Sequence, residues 1–163
     1  MALEKTYKVI KKLTKVEDDE IRLYYNNLVL YHLVKINNKA FMDKIFGDVD
    51  EFGKQWRPLK PITIKQKKRK NQLYGGRVAI NIRTRALREA IKPGRFINGR
   101  YIPREGQFVE VTTTSITFGI DIDYAENVHS RRKILVPSKE GIIAAKKSAA
   151  PQFEAYLRRR GLL

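Results

Sequence analysis

Two aspartates on a predicted strand are the residues of this chain whose type and spacing come closest to catalytic chemistry. Asp121 and Asp123 lie two positions apart, so a strand directs both carboxylates to one face, and such a pair can hold Mg²⁺ in a nuclease. Glu126 and Lys133 follow close behind in sequence. The same alternation is typical of the solvated face of an exposed strand whose other face carries isoleucines, and we favour this second interpretation.

The sequence carries no other catalytic or metal-binding pattern. The chain has no cysteine and two histidines: His32 falls inside a predicted long helix, and His129 is expected on a surface loop. Residues 74–77 (YGGR) lack the spacing of a phosphate-binding loop, and no serine lies in a nucleophile elbow. We therefore predict no enzyme activity, no catalytic residue, no metal site and no cofactor.

The strongest chemical signal is instead a block of positive charge. Residues 54–104 contain sixteen Lys and Arg and one acid, Glu89, which leaves a net charge of +2 for the rest of a chain whose total is +17. Charge gathered in this way predicts one surface or segment that faces an anion, either nucleic acid or an acidic protein. The candidate contact residues are Lys65, Lys67, Lys68, Arg69, Lys70 and Arg77.

A long helix precedes this basic block. The acidic cluster at 17–20 suits the start of a helix, because carboxylates favour the positive end of the helix dipole. Apolar residues then recur at three- and four-residue spacing as far as Ile45, and Gly47 is a typical residue to follow a helix end. This helix is the clearest element that the sequence predicts.

The basic block itself begins with residues that disfavour regular structure. Pro58 and Pro61 argue against a helix or a central strand, so we expect an extended basic arm or loop over residues 54–76. Trp56 and Leu59 are expected to anchor this arm onto the body of the protein.

The second half of the chain predicts short strands and two further helices. Residues 109–111 and 116–122 alternate in hydrophobicity and predict a hairpin, whereas 95–106 are rich in Gly, Pro and Arg and are expected to form a loop. The remaining predictions are a short strand at 78–82, a short helix capped by Thr84, helical turns at 124–130, a strand at 133–136, and a final helix that Ser138 caps and Pro151 kinks or restarts.

Together these elements predict one α+β domain over residues 1–163. A small antiparallel sheet would carry the long N-terminal helix and the C-terminal helix on it, with the basic arm projecting as a loop. A sheet this small leaves open edges, which favours pairing with another chain. No uninterrupted apolar stretch approaches the ~20 residues of a membrane span, and residues 1–16 lack the apolar region of a signal peptide, so we expect a soluble protein made in the cytoplasm.

Three segments, taken in order, resemble the phage virion morphogenesis family, which includes tail-completion proteins and related head–tail neck proteins. Residues 52–59 (FGKQWRPL) are similar to its Gly-x-x-Trp-x-Pro-Leu stretch, and 84–91 (TRALREAI) to its Thr-Gly-x-Leu-x-x-Ser-Ile turn and helix. Residues 120–129 (IDIDYAENVH) are similar to a strand that runs into Tyr-Ala-x-x-His. The residues that this resemblance singles out, as family-motif or subunit-interface positions, are Trp56, Pro58, Leu59, Leu87, Tyr124 and Ala125.

The resemblance implies a structural virion protein of the head–tail neck or tail end. Such proteins form homo-oligomeric rings, often hexamers, that join the tail to the head and contact other neck, portal-side and tail proteins. The basic arm would then contact genomic DNA in the channel or an acidic partner. Two alternatives stay open from the residues alone: a small non-specific nucleic-acid-binding protein, and a nuclease built on Asp121 and Asp123.

Overall fold

The computed structural model describes residues 15–80, 85–135 and 138–163, and these form a mixed α+β fold. Its helices are α1 (Lys15–Lys44), α2 (Pro61–Arg69), α3 (Arg85–Ile91), α4 (Ala125–Arg131) and α5 (Lys139–Arg159). Its strands are β1 (Leu73–Tyr74), β2 (Arg77–Val78), β3 (Arg95–Ile97), β4 (Arg100–Ile102), β5 (Gln107–Val111) and β6 (Ile116–Ile120). The predicted fold class is confirmed.

The two long helices form the main scaffold, as the sequence predicts. Helix α1 has acids in its first turn and is followed by Gly47 at a φ of 84°, a backbone conformation that glycine adopts at little cost. Helix α5 is capped by Ser138, whose side chain accepts a hydrogen bond from the backbone N–H of Gly141 at 3.0 Å. Pro151 lies inside α5, which continues through it as one helix.

The strands pair as three separate antiparallel hairpins within the described residues, β1–β2, β3–β4 and β5–β6. The hairpin β5–β6 confirms the prediction for this part of the chain. The hairpin β3–β4 lies where a loop was predicted: Asn98 and Gly99 both have positive φ, at 50° and 77°, which suits the tight turn between paired strands. The Asn-Gly turn signal at 98–99 was missed because each strand has only three residues.

The basic block is more regular than its prolines suggest. Residues 61–69 form helix α2, so the prediction of an extended arm through this stretch is wrong. Pro61 stands in the first turn of α2, where a missing backbone N–H costs nothing because that group has no partner inside the helix. Two shorter predictions also fail in the described residues: β2 ends at Val78, and residues 133–135 form no strand. Residues 81, 82 and 136 of these predicted strands lie outside the described residues. The predicted cap Thr84 lies outside the described residues.

The core follows α1 along its length. The first half of α1 packs against α5, and the last half packs against the segments around α3 and α4. Between them, Leu30 and Val34 of α1 are buried with Tyr101 of β4 and are covered by β5 and β6. None of the helices in the described ranges combines the length and the apolar character that crossing a bilayer requires.

Candidate functional site

One hydrophobic cluster brings together residues from all three segments that carry the family resemblance. Trp56, Leu87 and Ala125 are all buried there, at 5%, 1% and 5% exposure. They pack with Phe41 from the last turns of α1 and with Ile45, the residue that follows α1. We call this cluster the motif core: Phe41, Ile45, Trp56, Ala79, Ile80, Leu87, Ile91, Ala125 and Ile134.

The other family-motif residues lie around the motif core rather than in it. Leu59 is half-buried against the motif core, so both expected anchors, Trp56 and Leu59, do contact the body of the protein. The hydroxyl of Tyr124 accepts a hydrogen bond from the backbone N–H of Leu87 at 3.3 Å, which joins the second segment to the third. Pro58 is exposed.

A buried ion pair holds Trp56 in place, and sequence reasoning missed it. The ring of Trp56 meets the ring of Phe41 edge-on with 5.0 Å between centroids, and the Lys44 ammonium lies 5.0 Å from the Trp56 centroid. Lys44 Nζ lies 3.6 Å from Asp50 Oδ2, and both side chains are almost fully buried. Burial lowers the pKa of Lys44, and the neighbouring Asp50 carboxylate opposes that shift.

Asp50 also fixes the loop that leads to Trp56. Its Oδ1 accepts hydrogen bonds from the backbone N–H groups of Phe52 at 3.0 Å and Lys54 at 2.7 Å. The backbone N–H of Asp50 in turn donates to the carbonyl of Lys54. Only the acidic character of residues 48–51 was visible in the sequence, because the spacing of Lys44 and Asp50 matches no motif.

The predicted cationic contact residues divide into one buried and five exposed side chains. Lys67 is buried at 5% exposure, and its Nζ donates to the carbonyl oxygen of Ala79 at 2.5 Å. Lys67 therefore fastens α2 to the motif core and does not belong to the surface that was predicted to meet an anion. We call the exposed residues the cationic surface: Lys65, Lys68, Arg69, Lys70 and Arg77.

The cationic surface is carried by α2 and by the hairpin that follows it. Lys65, Lys68 and Arg69 project from α2, and Lys70 caps its C-terminal end. Arg77 lies on β2, which contacts α2, and its guanidinium sits 4.0 Å from the ring centroid of Phe46. Residues 54–80 contain no acid, so nothing within this segment neutralises these charges.

The strand predicted to carry Asp121 and Asp123 ends before them, because β6 ends at Ile120. Asp121 and Asp123 are both exposed, and within the described ranges no three His, Asp or Glu side chains cluster to hold a metal ion. His32 is half-buried on α1, as expected. His129 lies in α4 and not on a loop, and its Nδ1 accepts hydrogen bonds from the backbone N–H groups of Ile134 and Leu135 at 3.2 and 3.3 Å. Burial lowers the pKa of His129, and nearby Lys133 adds to that effect.

Comparisons with known proteins find no family model, no curated protein and no solved structure that matches this chain.

Proposed function

We propose that this protein is a structural subunit of a phage virion, at the head–tail neck or the tail end, and that it forms a homo-oligomeric ring joining tail to head. The observation that carries the proposal is the motif core. Segments 52–59, 84–91 and 120–129 are far apart in sequence, yet Trp56, Leu87 and Ala125 from them meet in one cluster. The three segments that resemble the family therefore contribute to one structural unit, and this supports the proposal.

Two surface features support assembly with other chains. Each hairpin in the described residues has only two strands, so each keeps strand edges that no third strand covers. Large apolar side chains on these strands are exposed, with Phe108 at 54%, Ile97 at 43% and Ile102 at 39%. Exposed apolar side chains beside open edges are typical of surfaces that another chain covers.

The cationic surface would face an anionic partner in such a ring. Helix α2 is held on the motif core by Lys67, so its remaining cations are presented from a fixed element rather than from a flexible arm. The candidates for the anion are genomic DNA passing through the channel and the acidic face of a neighbouring protein. Other neck, portal-side and tail proteins are the partners that the proposal implies.

A second candidate is a small non-specific nucleic-acid-binding protein. The cationic surface favours it, because five exposed cations without an intervening acid would release counterions on contact with phosphates. A protein with this second function would remain a monomer or dimer in the absence of DNA. The virion proposal instead requires an assembly that forms from the chain itself before any DNA is added.

Electron microscopy of the purified chain tests the proposal. We expect closed rings with a central opening in the absence of DNA, and a single small particle in every condition would contradict the proposal. DNA binding is then measured against salt for a variant that replaces three cations of the surface by glutamine, Lys65, Lys68 and Arg69. The matched control replaces three exposed cations of α5, Lys139, Lys147 and Arg158.

If the cationic surface contacts phosphates, the α2 variant reduces the magnitude of the negative slope of log affinity against log salt by about 2–3. The α5 control leaves that slope nearly unchanged. Equal effects of the two variants would mean that the charge of the whole chain, and not α2, attracts DNA. If rings form and neither variant alters DNA binding, the acidic protein partner is favoured over DNA as the anion.

A further inference from the structure

A second surface, distinct from the cationic surface, includes Trp56. A cleft of about 900 Å³ opens between α1, the loop around Trp56, strand β6, the segment after α4 and helix α5. Its apolar lining is mainly aliphatic and includes Val29, Leu33 and Ile36 of α1, Ile116 of β6 and Leu135. Its aromatic members are Phe52, Trp56 and Phe118. None of the five residues of the cationic surface lines it. The cleft is therefore a separate candidate binding site.

The cleft contains hydrogen-bond donors that have no acceptor. The indole Nε1–H of Trp56 is buried and finds no partner among the described residues, and the residue as a whole is only 5% exposed. The side-chain Nδ2 of Asn37, also on the cleft wall, is likewise buried without a partner in the described part of the chain. A buried donor left unpaired costs about 1–3 kcal/mol, so an occupant that supplies acceptors is favoured.

The charges around the cleft point to the sign of that occupant. Seven cations line the cleft against one acid, Asp50. Asp50 pairs with Lys44 and accepts two backbone N–H groups, so this pair offsets its own charges and six cations of the cleft remain. The cations are Lys44, Lys54, Arg57, Arg131, Arg132, Lys133 and Lys146.

We propose that this cleft binds an acidic peptide segment of a partner protein, with apolar side chains of the segment on the aliphatic walls and its carboxylates against the cationic rim. A nucleic acid fits less well, because bases stack on aromatic faces, whereas nine of the twelve apolar residues that line the cleft are aliphatic and three are aromatic. Residues 1–14 of this chain carry four lysines and one acid, the same sign as the rim, and so lack the charge that the cleft selects.

This inference goes beyond ring assembly and does not depend on it. A ring subunit would use the cleft for a neighbour in the virion, and a solitary protein would use it for another acidic partner. The test therefore measures peptide binding and not oligomeric state, so that either proposal can fail alone.

Trp56 makes the test direct, because it is the chain's single tryptophan and lies in the cleft. The probe is a short synthetic peptide with Asp and Glu on one helical face and Leu on the other. We expect saturable binding to the full chain, seen both as a change in Trp56 emission and in the anisotropy of labelled peptide. A second peptide of equal charge, with Ser in place of each Leu, should bind about tenfold more weakly, since it cannot use the aliphatic walls.

Two triple variants with reversed charge, one in the cleft and one on α2, show where the peptide binds. The triple variant Lys54→Glu, Arg57→Glu, Lys146→Glu changes exposed rim residues and should weaken the acidic peptide about tenfold or more. The control Lys65→Glu, Lys68→Glu, Arg69→Glu alters net charge equally on α2 and should weaken it far less. Circular dichroism confirms that both variants fold.

Three outcomes would overturn the proposal. One is the absence of saturable binding by the unaltered chain. The second is equal loss of affinity in the two triple variants, or equal affinity of the Leu and Ser peptides, since either result means general charge attraction. The third is a change in Trp56 emission with protein concentration alone, because a second copy of the chain would then be the occupant of the cleft.

Discussion

The two halves of helix α1 are packed by different means. Its first half lies against α5, where small residues such as Ala149 let the helices approach and Leu28 and Phe153 fill the interface. The rings of Tyr24 and Tyr156 stack there with 3.6 Å between centroids. Its last half enters the motif core, where short segments are fastened by single polar contacts. Helix pairing needs only an apolar stripe on each partner, whereas irregular segments need specific anchors.

The anchors of the motif core are two cations and one histidine, each turned inward. Lys44 pairs with Asp50, Lys67 donates to the carbonyl of Ala79, and His129 accepts two backbone N–H groups. These contacts hold two sets of segments: those that carry the cationic surface, and those that form the walls of the cleft beside Trp56. The difference between the halves teaches that, in a strongly basic chain, part of the positive charge is structural and only the remainder is available to a partner.

The largest effect on stability is expected in the helix pair. Leu28→Ala removes a side chain with no exposure and leaves a cavity between α1 and α5, so it should lower the free energy of unfolding by about 4 kcal/mol. Leu23→Ala, on the same helix but 37% exposed, is the matched control and should cost less than about 1 kcal/mol. Urea unfolding measures both. Similar losses for the two variants would mean that α1 and α5 do not pack as described.

Among the polar anchors around the motif core, Asp50→Asn should have the largest effect on stability. It leaves the Lys44 ammonium buried without a counter-charge, so the free energy of unfolding should fall by about 3 kcal/mol. The control is Asp43→Asn, which breaks an exposed ion pair with Lys39 and should cost less than about 1 kcal/mol. If urea denaturation gives the same small value for both, the motif core is not held by its ion pair, and the comparison between the two halves fails.

The sequence predicted the paired helices better than the segments around the motif core. Apolar spacing can be read from a sequence, whereas single polar anchors cannot. The spacing of apolar residues was sufficient for α1 and α5, and the alternation at 109–111 and 116–122 was sufficient for the hairpin β5–β6. The helix at 61–69 was missed because Pro61 was weighed as a helix breaker, although the first turn tolerates it. Burial of Lys67 could not be predicted, since it depends on a carbonyl that only the fold brings near.

Lys67→Met tests whether that cation is structural. The substitution leaves the carbonyl of Ala79 without its donor and should lower the free energy of unfolding by about 1 kcal/mol. Lys68→Met, one position along and exposed, should change stability by less than about 0.5 kcal/mol. DNA affinity should respond in the opposite order, with Lys68→Met the more damaging. Equal effects of the two variants on DNA binding would mean that Lys67 contacts DNA as Lys68 does.

The smallest expected effect is a pH dependence from His129. Its folded pKa is lowered by burial, so the neutral ring that accepts two N–H groups stabilises the fold fully above the ordinary value of 6.5, and this contribution is lost as the pH falls through the lower folded value. His129→Gln should therefore flatten part of the loss of stability on acidification below about 6.5. Thermal melts across this range, with His32→Gln as the comparison, measure it. An unchanged pH profile in His129→Gln would show that the ring does not accept these bonds.

The mass of the full chain in solution, measured by light scattering at low and high salt without DNA, tests the central claim most directly. A single chain has a mass of 19.0 kDa. A ring-forming virion subunit predicts a discrete species several times heavier that is present before any nucleic acid is added. A species of 19.0 kDa at every salt concentration, which grows only when DNA is added, would contradict the claim and favour the nucleic-acid-binding alternative.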